Sequence, residues 1–539
     1  MTHVTSRPTD RRRVFLYGCG IVAPGAASLD QFLEDIWNQR VNLEPEPALN
    51  NAFLVGKPKF QFDKYRDWIS SRFAPARFTQ ICDKGGENVY MAVGATIDAL
   101  TTQPDLEKAI KTLDPKVSLC MGSGLGDLPV IFSQGKNWER TCWAWNHFWA
   151  DPERNKECAA WREGSRYLEK VPADPLELPT DSFARIDAWA RWDEFWANRN
   201  PLLKDYVREF MEIEGGTVGA DVAADKLKLI RAKAKAGKQL QEKYGCPTPP
   251  WESVNPTLLW NLPNAPAAQV SMLLNLHGSS WNSNGACATF GLLLHEALKD
   301  IHDGRSQAAI IGTVDNTPPP EVVSAFFGAR VLATGTNVST PLSEMRGTHV
   351  AGGACVWIIG TEDLAEQFNI PHMGVEILSA EVSSDAEHII TPSKDGPKLA
   401  IRRAIEAAQI SPTDIGSWDL HATGTPGDAS ELTLIEDFVP SNAVVSARKG
   451  LFGHGMASNG GWELTAQVLG PRYKNGTFHI PPCGIDPDKI HSNITSMKRI
   501  FATNKPVEIV GTEQGLVCGK LSMGVGGISS CVITRVQKK

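Results

Sequence analysis

Apolar and polar residues alternate along this chain in two rhythms. Short unbroken apolar runs, closed by Gly, Pro or polar residues, predict buried strands at 13–24, 117–121, 308–312, 354–359, 373–380, 418–420 and 530–536. Between them, apolar residues recur at helical spacing. The stretch 29–40 places Leu29, Phe32, Leu33, Ile36 and Trp37 on one face, and further helices are predicted at 78–100, 267–276, 396–408 and 460–469. A loop-like stretch separates the first two, ending near Phe73. Strands alternating with helices predict an α/β fold. The order of elements is similar in the two parts of the chain and suggests a duplication, although no repeat is visible residue by residue.

From 130 to 255 this rhythm stops. Ten of the 16 tryptophans lie between Trp138 and Trp260, no strand pattern occurs, and helices are predicted at 181–196, 201–214 and 220–244. In the last of these, Lys226, Lys228, Arg231, Lys233, Lys235 and Lys238 form a basic face. Interleaved Trp and Arg can serve single-stranded nucleic acid. The helical spacing of the tryptophans favours packing, and the basic residues read as a solvated face.

Composition narrows the class. The chain has 539 residues, 42% of them hydrophobic and 21% charged, as in an ordinary globular enzyme. A net charge of -7 gives no reason to expect nucleic acid or an anionic membrane as the main partner. No apolar run is long enough to span a bilayer. Arg11, Arg12 and Arg13 precede an apolar run that stops at Gly18, which reads as a first strand rather than a signal peptide. Eleven cysteines without CxxC pairs fit reduced thiols and a cytoplasmic location.

Cys287 stands at a predicted helix start, after the small and polar residues Ser283, Asn284, Gly285 and Ala286. The helix dipole and free N–H groups there favour a thiolate nucleophile, while a lone cysteine is as readily a buried structural residue. Only partners elsewhere decide between these. His421-Ala-Thr-Gly-Thr-Pro-Gly-Asp428 follows a strand directly, and Lys449-Gly-Leu-Phe-Gly-His454-Gly sets a second histidine between glycines. Alone, each histidine is compatible with a structural role. Near the C-terminus, Ser522-Met-Gly-Val-Gly-Gly527 offers backbone that a ligand can approach closely.

With these residues in order, the chain resembles the β-ketoacyl synthase (ketosynthase) family of the thiolase-like superfamily. The family's motifs match Ala286-Cys287-Ala288, His421 to Pro426, Lys449 to His454, and Gly524-Val-Gly-Gly527. The resemblance implies a duplicated, five-layered αβαβα core with an extra helical insertion. Residues 1–129 plus 256–362 would form the half carrying the nucleophile, 130–255 the insertion, and 363–539 the half carrying both histidines. Cys287 would take an acyl group from a thioester. His421 and His454, as neutral imidazoles, would promote loss of carbon dioxide from a malonyl-type extender. The backbone amides of Cys287 and Val525 match an oxyanion hole, and Lys449 and Glu463 an ion pair beside the second histidine. Thr423 and Thr425 match hydroxyls that hold the carrier's pantetheine arm, and Asp428 and Glu431 acidic positions of the same substrate-binding stretch. No cofactor or metal is implied beyond phosphopantetheine-linked substrates on acyl carrier protein. The implied partners are that carrier and a second subunit, identical or related.

The chain departs from the family at several positions. Asn284 and Gly285 replace an acidic residue and Thr, Ala288 and Thr289 replace a Ser pair, and Gly352-Gly353 replaces Gly-Glu. The loop at Pro426-Gly427-Asp428 is one residue shorter, and Val525 stands where relatives carry a gating Phe. These place the chain outside the housekeeping fatty-acid group. The leading expectation is a decarboxylating condensing enzyme of a specialised polyketide or fatty-acid-like pathway. The alternatives are an acyltransferase on the same scaffold and a non-catalytic chain-length partner subunit, which would generally lack the cysteine. The insertion is expected to be an ordered helical subdomain that contributes to the substrate entrance or to a partner contact.

Overall fold

The computed structural model describes residues 12–538 except 75, 216–222, 388–392, 475–476 and 496; the side chains of 223–227 are also outside the description. It divides into two compact units, 1–129 with 259–539, and 130–258.

The larger unit is built on one eleven-stranded sheet. Its strands are β1 (Val14–Val22), β2 (Val117–Gly122), β3 (Ser280–Ser283), β4 (Ala308–Asp315), β5 (Gly353–Thr361), β6 (Val375–Ser384), β7 (Ile415–Asp419), β8 (Val444–Ser446), β9 (Ile500–Phe501), β10 (Leu516–Gly524) and β11 (Ile528–Val536). The spatial order is β9-β8-β7-β10-β11-β6-β1-β5-β4-β2-β3. Either side of the β6–β1 seam the order is the same: β1-β5-β4-β2-β3 on one side, β6-β11-β10-β7-β8 on the other. The sense of pairing is the same too, two antiparallel steps followed by two parallel ones. The duplication suggested by element order is therefore explicit in the topology. At the seam, Phe15 pairs with Glu376.

Helices complete the layers. α1 (Glu87–Thr101) packs on β1 and β5, and α3 (Asp395–Ala408) packs on β6 and β11. Between the halves lie α2 (Thr289–His302) and α4 (Met456–Leu469), which touch each other and strands of both halves. Strands buried on both faces explain the near-continuous apolar runs of the sequence.

Three expectations change. The single helix expected at 78–100 is two, Ala76–Lys84 and Glu87–Thr101. Gly85 and Gly86 break it, and the Gly86 N–H is bound by the Asn261 side chain instead of a carbonyl one turn back. The stretch before Phe73 carries a short helix, Arg66–Ser70. Strands β3, β8, β9 and β10 were not expected; the first three are four residues or shorter, and Gly519 and Lys520 interrupt the apolar pattern of β10.

Among the described residues of 130–258 there are helices and no strand. The helices are Leu128–Ala150, Lys156–Arg162, Phe183–Ala197, Pro201–Gly215 and Ala223–Tyr244; residues 220–222 of the helix expected at 220–244 lie outside the description. Trp149, Trp192 and Trp196 are fully buried. Trp145, Trp149, Tyr206 and Leu240 form one apolar cluster, and Cys158, Trp192 and Trp196 another. Two buried asparagines satisfy the backbone between them. Asn155 donates to the carbonyls of Trp149 (3.1 Å) and Trp196 (2.7 Å), while its oxygen caps the helix Lys156–Arg162. Asn200 donates to Trp149 O at 2.8 Å. On the basic face, Lys233 pairs with Glu214.

Replacing Asn155 removes a cap and two buried hydrogen bonds to carbonyls that keep one donor each, from Asn200 and Arg199 N, so Asn155→Ala should lower stability by about 1–3 kcal/mol. Denaturant unfolding of the full chain, followed by tryptophan fluorescence, measures the shift in midpoint.

Candidate active site

Cys287 opens the helical stretch that becomes α2. A single 3-10 turn, Ala286–Ala288, precedes Thr289, and Ala286 takes a left-handed conformation at φ 48°. Small residues around the sulfur are needed for close approach: a Cβ on Gly524 would lie 2.3 Å from Gly285 O. The turn after β10 thereby brings the Val525 N–H to the Cys287 sulfur, which also meets its own N–H.

His454 lies two residues ahead of α4. Gly453 has φ 78°, and a Cβ on Gly455 would lie 2.2 Å from the Trp462 ring, so both flanking positions need glycine. The N-terminus of α4 is tied to the other half by Asp315, the last residue of β4. Its carboxylate accepts from Ala457 N at 2.8 Å, Ser123 Oγ at 2.8 Å and Leu125 N at 2.9 Å.

His421 follows β7, and its backbone is held on both sides by charged groups. Its N–H donates to Glu431, which also accepts from Ala422 N at 2.8 Å, and its carbonyl accepts from the Lys449 ammonium. Asp428 accepts from the N–H groups of Thr423 (2.9 Å), Gly424 (3.2 Å) and Leu342 (3.1 Å). Asp428 and Glu431, expected among substrate-binding residues, both line the cavity, and their carboxylates accept from backbone amides of 421–424 and of Leu342. Thr423 and Thr425 line the cavity, with their hydroxyls 3.0 Å apart. Lys449 and Glu463 form an ion pair at 2.9 Å.

These elements bring the Cys287 sulfur and a ring nitrogen each of His421 and His454 within 4.8 Å of one another, all three residues buried. The imidazole rings meet edge to face, centroids 5.4 Å apart. The trio sits in a cavity of about 440 Å³ that Phe326, Val331, Leu434, Met523 and Val525 make largely apolar. Thiol and imidazoles are donor types that also ligate zinc. Backbone amides at the sulfur and an apolar cavity suit acyl chemistry instead.

Burial sets the protonation states. It pushes the Cys287 thiol up to about 11, against the pull of Lys449 and the two backbone N–H groups. The thiolate expected from the helix start alone is therefore not the resting form: desolvation outweighs dipole and amides. Burial, with Lys449 next, holds His454 down at about 3, and burial with Lys449, His454 and Lys520 holds His421 well below the usual range. Both imidazoles are neutral at physiological pH. Burial also raises Glu431 to about 7 and Asp428 to about 6.

Three further ionised residues close to the site were missed in the sequence. Lys520, from the middle of β10, pairs with Glu463 (2.7 Å) and Asp419 (3.2 Å), and Arg448 pairs with Asp419. The available signals were a lysine inside an apolar run and an aspartate one residue before Leu420-His421.

A duplicated αβαβα core with a cysteine and two histidines converging at its centre defines a thiolase-like protein. Comparisons with known proteins go further. Residues 219–364 match the profile described as beta-ketoacyl synthase, N-terminal domain, and residues 375–474 the beta-ketoacyl synthase, C-terminal domain. The chain is 30% identical over 287 residues to a 3-oxoacyl-[acyl-carrier-protein] synthase homolog of Saccharomyces cerevisiae, covering 50% of this chain and 62% of that one. It is also 30% identical over 218 residues to 3-oxoacyl-[acyl-carrier-protein] synthase 2 of Staphylococcus aureus, covering 39% and 54%. The matches thus span a little over half of these relatives. In structure it resembles the ishigamide ketosynthase/chain length factor (TM-score 0.64, 16% identity, 98% and 100% covered). It also resembles a beta-ketoacyl synthase from Burkholderia phymatum STM815 (0.64, 15%, 97% and 99%). A third is a type II PKS acyl-carrier protein in complex with its ketosynthase bound to the hexaketide (0.60, 14%, 98% and 100%). Both domain profiles, these relatives and the fold support a member of the β-ketoacyl synthase family. No helix among the described residues is long and apolar enough to cross a membrane.

Because the Cys287 thiol is raised to about 11, its alkylation by iodoacetamide should accelerate about tenfold per pH unit from 7 toward 10, without levelling off near 7. Peptide mass spectrometry at Cys287 reads the rate, with Cys287→Ala as the blank.

Proposed function

We propose that the protein catalyses decarboxylative Claisen condensation between an acyl group on Cys287 and a malonyl-type extender on acyl carrier protein. The single observation that carries this reading is the meeting of the Cys287 sulfur and two neutral imidazoles in one buried, largely apolar cavity.

In the first half-reaction the sulfur attacks the incoming thioester, its proton passing by way of a neutral imidazole to the departing carrier thiol. The N–H groups of Cys287 and Val525 receive the oxyanion that forms at the acyl carbon. In the second, the extender's carboxylate leaves as carbon dioxide, and its electrons become an enolate whose oxygen accepts hydrogen bonds from His421 and His454. The carbanion carbon then attacks the acyl carbonyl. That attack forms the new C–C bond and places the electron pair on the acyl oxygen; collapse of the intermediate breaks the C–S bond and returns Cys287 as thiolate, which takes up one proton. Neutral imidazoles suit this step, since each can donate without carrying a charge that the cavity would have to solvate. Thr423 and Thr425 would hold the pantetheine arm at the mouth, and Val525 would leave the acyl pocket less obstructed than a Phe. No cofactor of the protein's own enters the scheme.

The carrier protein and a second ketosynthase-like subunit, identical or related, are the partners we infer. Both follow from the family and from neighbours described as ketosynthases with a carrier protein or a chain length factor. A purely chain-length-determining role is disfavoured by Cys287, which such a role does not use.

Cys287→Ala should form no acyl-enzyme on incubation with acyl carrier-protein thioesters, as read by intact mass; an undiminished adduct would refute the assignment. Single Ala variants at His421 and His454 should still load acyl groups but release carbon dioxide from malonyl carrier protein about 10²–10³-fold more slowly. Headspace carbon dioxide measurement with the wild type alongside gives the comparison.

A further inference from the structure

Behind the two histidines lies a buried cluster of charge that the proposed reaction does not use. Lys520 is fully buried in the middle of β10, and four oxygens surround its ammonium: Glu463 Oε2 at 2.7 Å, Leu521 O at 2.8 Å, Leu420 O at 3.0 Å and Asp419 Oδ1 at 3.2 Å. These come from α4, from β10, from the residue immediately before His421, and from the end of β7. Asp419 is held in turn by Ser446 Oγ at 2.7 Å and by the Arg448 guanidinium, next to Lys449. One cation thus joins the segments that carry His421, Lys449 and the turn leading to Val525. A lysine interrupts an apolar strand at a large desolvation cost unless its charge is matched, and here two carboxylates match it.

We propose that Lys520 is a positioning residue of the active site, its ammonium filling a four-oxygen cage that fixes the His421 strand end against α4 and the Val525 turn, and supplying positive charge behind both imidazoles. The proposal rests on the roles assigned above to His421 and His454, so its test includes a readout that does not depend on them.

The charged and titratable groups facing His421 are Cys287, Lys449, His454 and Lys520, with Glu431 on its backbone; those facing His454 are Cys287, His421, Lys449, Glu463 and Lys520. Lys520 lowers the basicity of both rings. Removing it leaves Asp419 and Glu463 less compensated, so both imidazoles should take up protons at higher pH. A protonated pair would cost the cavity its neutral donors.

Three proteins test this: Lys520→Met, Lys520→Ala, and Lys520→Met combined with Asp419→Asn, which removes one charge of each sign in case the single variants do not fold. In whichever folds, NMR of isotope-labelled histidine should show His421 and His454 titrating at least one pH unit above the wild type. Carbon dioxide release from malonyl carrier protein should fall at least tenfold, with an acid limb moved upward. Cys287 acylation, which also uses the Val525 N–H and an imidazole, should fall by a smaller factor than release does. In Lys520→Ala, ammonium or methylammonium at millimolar concentration should restore part of the release, because the cage accepts a small cation, whereas sodium chloride at equal ionic strength should not. Unchanged histidine titration together with wild-type release would overturn the proposal, as would loss of release that no amine restores and that no shift in titration accompanies. If the titration shifts while release stays at the wild-type level, Lys520 holds the site as proposed and the catalytic roles of the histidines fall instead.

Discussion

Taking Cys287, His421 and His454 out of water makes the charged form of each costly, and the neighbourhood is arranged around that cost. The thiol keeps its proton and the imidazoles refuse theirs. Groups that must be charged near them are not left singly. Lys449, Lys520 and Arg448 face the carboxylates of Asp419 and Glu463, while Glu431 and Asp428 are absorbed by backbone amides. The reaction proposed above would need a dry cavity for its acyl chain, and a dry cavity tolerates charge only beside opposite charge. The apolar lining and the ionic cluster behind it are two consequences of one requirement.

The sequence made the reacting residues legible because their local chemistry is written in short stretches. Glycines mark where backbone must come close, as at Gly453 and Gly455, and small residues mark the approach to Cys287. Seven of the eleven strands were legible because both faces of the sheet are covered. Lys520 was not, since its partners stand at positions 419, 420, 463 and 521, and only the paired strands β7 and β10 bring the first two beside it. The protonation state of Cys287 was misjudged for a related reason. A helix start is a local feature, whereas the desolvation that outweighs it is set by elements distant in sequence.

The tryptophan-rich unit carries a related lesson about aromatic residues. Their interleaving with Arg and Lys admits two readings in the sequence, stacking on a ligand or packing inside. Trp149, Trp192 and Trp196 are fully enclosed, and their rings meet neighbouring aromatics at steep angles, as in Trp161–Trp192 at 70° and Trp192–Trp196 at 64°. That is the geometry of a core, where edge-to-face contacts satisfy the ring quadrupoles. The exposed Trp143 lies flat against His147, 5.2 Å between centroids. Large rings give a small helical unit much apolar area per residue, and Asn155 and Asn200 both donate to the Trp149 carbonyl at a helix end.

The duplication explains why Cys287 and His454 meet. In one half, β3 leads through Cys287 into α2, which returns to β4. In the other, β8 leads through His454 into α4, which returns to β10. Each residue stands two positions before the first residue of its helix. They occupy equivalent places in two copies of one design, and the packing of α2 on α4 brings the helix starts together. Each copy supplies one helix start, and the two are capped differently. At the first, the N–H groups of Gly285, Ala286 and Ala288 are taken by Thr289, Asn284 and Gly285, while the N–H groups of Cys287 and of Val525, from the turn after β10, meet the sulfur. At the second, Asp315 of the opposite half accepts from Ala457 N. In the reaction proposed above this difference has a use: an oxyanion would be received at the sulfur's two amides, while the carboxylate of Asp315 fixes the helix start that follows His454.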